Sequence, residues 1–195
     1  MKINSFQLQF DKLDSLLCSS FKSIKENKIE NLVIDIRDNG GGNANFVRTL
    51  VDYLTDKPYV LCAFSQIKSS EATMKCYTTH PIFVNAIEQA RKAENDSNVF
   101  KKVSEAFEKP YGTITSFNKE EIIPSEKANR FSGQLYVLAG RHTFSAATGF
   151  CVAIKDNKIG SIVGEETSDN PTDYGCIMLF SLPNTKINIQ NSTQL

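Results

Sequence analysis

Residues 31–42 read NLVIDIRDNGGG, and residues 133–147 read GQLYVLAGRHTFSAA. Each is a short apolar run that ends in a turn-forming stretch and then opens a helical pattern. The run from Asn31 to Ile36 has the length and composition of a buried strand. Gly40, Gly41 and Gly42 follow it, and glycine permits the positive φ of a tight turn. Phe46, Val47, Leu50, Val51 and Leu54 then recur at helical spacing. The second stretch repeats the scheme. Gly133 to Ala139 predicts a strand, and Ser145 to Lys155 predicts a helix that buries Ala146, Ala147, Phe150, Cys151 and Ile154.

Working outward, Leu13, Leu16, Leu17, Phe21 and Ile24 mark one face of a helix over Phe10–Ile24. Tyr59–Phe64 (YVLCAF), just beyond Pro58, predicts another strand. Helix, strand, helix, strand in that order favours a parallel βαβ unit. Ile159–Val163 predicts a further strand. Cys176–Leu182 and Lys186–Ile189 predict an antiparallel pair around the turn Pro183-Asn184. Residues 68–130 differ in character. They are polar and rich in Lys and Glu, with helices expected at Pro81–Ala93 and Ser97–Phe107. This stretch reads as a largely helical insertion, packed on the core's edge or forming a flap. The expected class is α/β, a single domain over residues 1–195 with the insertion at 68–130.

The bulk numbers exclude several classes. With 195 residues the chain can bury a sizeable core. Lys and Arg number 22 and Asp and Glu number 22, so no net charge draws the chain to nucleic acid or anionic membrane. No apolar run approaches the roughly 18 residues of a membrane span. The N-terminal MKINSFQLQF lacks the apolar core of a signal peptide. The five cysteines, Cys18, Cys62, Cys76, Cys151 and Cys176, form no CxxC or His/Cys cluster. No metal site is expected from them, and they read as mostly buried small hydrophobes.

Two loops are candidates for chemistry. In Arg37-Asp38-Asn39-Gly40-Gly41-Gly42 the glycines let backbone N–H groups approach a substrate, and a helix N-terminus adds partial positive charge. The loop suits an oxyanion hole or an anion site; equally it is a tight strand-to-helix turn. In Gly140-Arg141-His142-Thr143-Phe144-Ser145-Ala146-Ala147, Ser145 stands where a strand ends and a helix begins. That place suits a nucleophile with the Ala146 N–H beside it. It equally suits an N-cap, by Ser145 or by Thr143.

Together the segments NLVIDIRDNGGGNANFVRTLVDYL, LYVLAGRHTFSAATGFCVAIKDN and IGSIVGEETSDNPTDYG resemble, in the same order, those of tail-specific (carboxy-terminal processing) serine peptidases. In that family a Thr-x-Ser-Ala sequence carries the nucleophile. The resemblance implies a crotonase/Clp-protease-like ββα core, to which the antiparallel pair read above adds a C-terminal β-hairpin. It implies Ser145 as nucleophile, and the amides of Ala146 and of Gly41 or Gly42 as oxyanion donors. It implies a polypeptide substrate bound extended beside a strand, and an extracytoplasmic or envelope location. Neither metal nor organic cofactor is expected, since serine chemistry needs neither.

One departure bears on activity. Many members place a lysine in the loop after the next strand, and aligning that loop with Gly164–Pro171 puts Asn170 there. An amide does not accept a proton usefully near neutral pH. The base is then left to His142, to His80, or to a group outside this chain, with Glu165 or Glu166 as a partner that orients it. A chain truncated at one or both ends is the expectation. The alternatives to an active peptidase are an inactive relative that binds peptide or a hydrophobic ligand, and an acyl-CoA enzyme. The last lacks a basic cluster for the CoA phosphates.

Overall fold

Along the chain the elements are α1 (Phe10–Glu26), β1 (Asn31–Asp35), α2 (Ala44–Asp52), β2 (Phe64–Lys68), α3 (Glu71–Thr79), β3 (Ile114–Asn118), β4 (Gln134–Ala139), α4 (Ala146–Asp156), β5 (Ser161–Gly164), β6 (Ile177–Ser181) and β7 (Asn188–Ser192). The computed structural model describes residues 1–7, 10–79, 105–118, 121–172 and 177–192. They fall into two units, Met1–Ala63 with Lys119–Asp173, and Phe64–Asn118 with Tyr174–Leu195.

The first unit is built on a parallel sheet in the order β1-β4-β5. Register pairs Asp35 with Leu138 and Ala139 with Gly164, so the strands end together at one carboxyl edge. Along β1, Leu32 and Ile34 are buried while Val33 is 41% exposed. The strand therefore buries one face and not two, contrary to the reading of its continuous apolar run. Leu13, Leu17 and Phe21 of α1 enter the core, whereas Leu16 is exposed. Helix α2 packs against both α1 and α4. Phe6 seals their junction, its ring 4.7 Å from that of Phe46 and edge-on to Phe150 at 6.0 Å.

The N-terminal segment runs parallel to β1 and its turn, bridging Lys2 to Asp35 and Phe6 to Gly42. Lys119–Asp173 return to this unit. Ile122 bridges Tyr59, the Phe131 N–H donates to the Tyr53 carbonyl at 2.9 Å, and Lys127 Nζ lies 2.6 Å from Asp14 Oδ1.

The expected strand at Tyr59–Phe64 is not formed. Tyr59 makes a single antiparallel bridge, and the strand begins only at Phe64. Tyr59 is buried in the core and half-buried Leu61 packs against it, but Cys62, Ala63 and Phe64 are exposed, so the run leaves the core after its first residues. Tyr59 is fixed instead through its side chain, whose hydroxyl donates to buried Asp52 Oδ1 at 2.8 Å. Burial and that carboxylate together push the Tyr59 phenol well above its ordinary range. The partner of β1 is therefore β4, and the βαβ unit is β4-α4-β5.

In the second unit β2 pairs antiparallel with β3, and Ile67 and Phe107 form a small core joined by Met74 and Phe117. In the stretch 68–130, which reads as largely helical, α3 is helical, and β3 adds a strand that pairs with β2 at its start. The helix expected at Pro81–Ala93 lies outside the described residues. So does most of the one expected at Ser97–Phe107, of which residues 105–107 are helical. β6 and β7 form the antiparallel pair expected at the C-terminal end. Of the described cysteines Cys151 is buried, while Cys18 and Cys62 are exposed, against the expectation of burial. Burial raises the Cys151 thiol to about 11. Among the described residues no helix is long and apolar enough to cross a membrane.

Candidate active site

Both chemical loops leave the carboxyl edge of the parallel sheet, one after β1 and one after β4. In the first, Asn39 is fully buried and holds the turn by its side chain. Its Oδ1 accepts the Gly41 N–H at 2.8 Å and its Nδ2 donates to the Ile3 carbonyl at 3.0 Å. An Asn bonded to the backbone two residues on is a standard way to close a turn. Gly41 has φ 92° and Gly42 φ 140°. The Gly41 carbonyl accepts the Phe6 N–H at 2.9 Å. Because the peptide is trans, the Gly42 N–H points the opposite way, away from the N-terminal segment. Arg37 braces the start of this turn. Its Nε and Nη2 donate to Asp35 Oδ1 and Oδ2 at 2.9 and 2.8 Å, and hold that carboxyl at about 2.

In the second loop Thr143 is fully buried. Its Oγ1 donates to the Ile36 carbonyl and accepts the Gly140 N–H, both at 3.0 Å. The loop is thereby tied across to the end of β1. Two residues on, Ser145 has φ 52° and ψ −123°. A left-handed φ at a non-glycine costs about 1–3 kcal/mol and persists only where the surroundings over-determine it. Ser145 occupies the N-cap position of α4, yet its hydroxyl makes no capping bond. Among the described residues that hydroxyl has no hydrogen-bond partner, and neither does the Ala146 N–H. The other N-cap candidate, Thr143, spends its hydroxyl on β1, not on the first turn of α4.

The two loops touch. A Cβ placed on Gly41 would lie 2.7 Å from the Phe144 carbonyl oxygen, 2.9 Å from Ser145 Cβ and 3.0 Å from the Ala146 nitrogen. The Phe144 N–H donates to the Asn39 carbonyl at 3.0 Å. Gly41, Ser145 and Ala146 are therefore brought together, with only a glycine admitted at the contact. The Gly41 N–H is already committed to Asn39, so of the two candidate glycine amides it is the Gly42 N–H that lacks a described partner.

The remaining candidates are placed as follows. His142 is exposed, and its ring makes no hydrogen bond among the described residues. Glu165 is exposed, and its N–H donates to the Ala139 carbonyl at 3.2 Å. Asn170 is exposed, and its N–H donates to Asp169 Oδ1 at 3.0 Å. His80 lies outside the described residues. Sequence reasoning offers Thr143 only as an N-cap candidate and gives no role to Asn39, Ser168 or Asp169. Asn39 had a signal, an Asn two residues before a glycine after a strand. Ser168 and Asp169 carried none, because their bonds to the nucleophile turn run to Thr143 and Ser145, far back in the chain. Among the described residues no group of three His, Cys, Asp or Glu is placed to hold a metal ion.

The profile of peptidase family S41 matches residues 1–185. No curated protein matches the chain by sequence. Among solved structures, mature CPAF complexed with lactacystin superposes with a TM-score of 0.69 at 20% identity, over 99% of this chain and 42% of that one. The photosystem II D1 C-terminal processing protease gives 0.55 at 17% identity, over 99% of this chain and 35% of that one. At such identities the likeness shows the fold. The chain spans less than half the length of these solved chains. With nearly all of its length matched by the profile, the chain belongs to peptidase family S41, the tail-specific (carboxy-terminal processing) peptidases.

Proposed function

We propose that this chain is the catalytic core of a serine peptidase, with a crotonase/Clp-protease-like fold, that hydrolyses polypeptides with Ser145 as nucleophile. The observation that carries the reading is the conformation of Ser145. It is strained to φ 52° and its hydroxyl is not spent on capping α4. A structural N-cap needs neither feature, whereas a nucleophile held clear of the backbone needs both.

Ser145 Oγ would attack the scissile carbonyl carbon. The oxygen that gains charge would be held by the N–H groups of Ala146 and Gly42, at the N-terminus of α4 where the helix adds partial positive charge. Family membership supports a polypeptide substrate. The base is unassigned. His142 is the described candidate nearest in sequence, and His80 is a further candidate.

A second reading, an inactive relative that binds peptide, is favoured by Asn170. It stands where many members carry lysine, and it is exposed with its N–H turned onto Asp169. Fluorophosphonate labelling of the wild type beside Ser145→Ala, across pH 5 to 9, separates the two readings. Labelling lost in Ser145→Ala is expected, with a midpoint near 6–7 if a histidine is the base. A folded wild type that never labels would sink the peptidase reading.

A further inference from the structure

The loop that follows β5 is bonded to the nucleophile turn by two consecutive residues. Ser168 donates both its N–H, at 3.0 Å, and its Oγ, at 3.1 Å, to the Thr143 carbonyl. Thr148 Oγ1 donates to the same oxygen at 3.3 Å. Asp169, half-buried, then accepts the backbone N–H of Ser145 on Oδ2 at 3.2 Å. Its Oδ1 accepts the Asn170 N–H at 3.0 Å, and its carbonyl accepts Thr167 Oγ1 at 2.7 Å. The carboxylate is thus fixed at both oxygens and through its own backbone.

We infer that Asp169 is a positioning residue for the proposed hydrolysis. Its carboxylate clamps the Ser145 amide and so holds the left-handed backbone that presents the hydroxyl. The inference rests on the reading of Ser145 as nucleophile. Ser145 has two backbone groups by which its conformation can be held. The carbonyl accepts the Gly149 N–H at 3.0 Å, as any first-turn residue's would. The N–H has Asp169 as its described partner. Without that acceptor the peptide joining Phe144 to Ser145 keeps only the Ala147 N–H on its carbonyl, at 3.0 Å, and φ of Ser145 can relax toward an ordinary N-cap value.

A second consequence follows. A nucleophile's own N–H is a natural oxyanion donor, but here it already faces a carboxylate. Asp169 therefore removes the Ser145 amide from that role and leaves it to Ala146 and Gly42. It also places an anion beside the turn, so the acceptor function and the charge are separable. Asparagine at position 169 keeps a carbonyl acceptor for the N–H and removes the charge.

The test uses the whole chain, selectively ¹⁵N-labelled at serine, as wild type, Asp169→Asn, Asp169→Ala and Ser145→Ala. Two rates are read, hydrogen exchange of the Ser145 amide and fluorophosphonate labelling. The Ser145 amide is expected to be protected in the wild type and in Asp169→Asn. It is expected to exchange at least roughly tenfold faster in Asp169→Ala, with labelling slowed by a similar factor and restored in Asp169→Asn. A Ser145 amide as slow in Asp169→Ala as in the wild type overturns the inference. So does wild-type labelling by Asp169→Ala, an outcome that leaves the nucleophile reading standing. A wild type that exchanges slowly but never labels sinks the peptidase reading, and the exchange comparison then decides the clamp by itself. If Asp169→Ala does not fold, Asp169→Gly replaces it, since glycine leaves the loop backbone unrestricted.

Discussion

The turn after β1 and the turn after β4 leave neighbouring strands at the same edge, and each bends the chain through positive φ, but they place that φ on different residues. After β1 it falls on Gly41 and Gly42, which lack the Cβ that makes the conformation costly. After β4 it falls on Ser145, which has one. Each turn is locked by one fully buried polar side chain, Asn39 in the first and Thr143 in the second. Local supports are therefore alike, and a glycine would satisfy the backbone at either place. A strained side chain where glycine would serve means that the side chain, not the bend, is what is needed.

The largest test breaks the contact between the turns. Gly41→Ala is expected to destabilise the chain by roughly 3 kcal/mol, from positive φ together with overpacking against the Phe144–Ala146 turn. Gly40 supplies the control, since a Cβ there meets nothing within 4 Å and its φ is not positive. Gly40→Ala is expected to stay within about 0.5 kcal/mol of the wild type. Urea denaturation measures both, and equal losses at the two positions would show that the close approach of the loops is not what selects glycine.

A smaller effect of opposite sign is expected at Ser145. Ser145→Ala keeps a Cβ at φ 52° and should leave stability nearly unchanged. Ser145→Gly should gain about 1 kcal/mol over Ser145→Ala by relieving the strain. Both should abolish fluorophosphonate labelling. A Ser145→Gly chain less stable than Ser145→Ala would mean that the backbone there carries no strain, and the comparison between the turns would lose its basis.

Periodicity made much of this fold legible. The core positions of α2, α4, β1 and β4 recur with the spacing that burial imposes, whereas β5 is mostly exposed and shows no such alternation. Tyr59–Phe64 misled because its composition suits a strand while its placement is set by the Tyr59 hydroxyl on Asp52, a buried carboxylate that also accepts from Ser125 Oγ at 2.6 Å. No local pattern encodes that contact. At the site, Ser145 was legible as a residue between strand and helix, but an N-cap and a nucleophile share that position. Only the dihedral angles and the uncommitted hydroxyl separate them. Likewise Gly41 and Gly42 are equivalent letters until Asn39 is seen to claim one of their amides. Asp169 was silent because its partner lies 24 residues back in the chain.

The smallest effect distinguishes how the two turns are braced at the strand ends. Thr143 ties its loop to β1 with a neutral, buried hydroxyl, a support that does not titrate at ordinary pH. The turn after β1 begins with a charged brace, Asp35 with Arg37, whose guanidinium is largely exposed. Arg37 holds the Asp35 carboxyl at about 2, below its ordinary value. A carboxyl depressed in the folded state contributes stability that is fully present above its unfolded value, near 4, and is lost as pH falls through about 2. Asp35→Asn should therefore be slightly less stable than the wild type at pH 7, and the two should converge as pH falls from 4 toward 2. Exposure and salt keep such a pair weak, so the difference at pH 7 should shrink further in 1 M salt. Urea midpoints at pH 7 and pH 2.5, at low and high salt, measure it. A difference that is the same at both pH values would assign the role of Asp35 to its hydrogen bond with the Arg37 N–H, which asparagine can keep only in one orientation, and would make both turns neutral in their bracing.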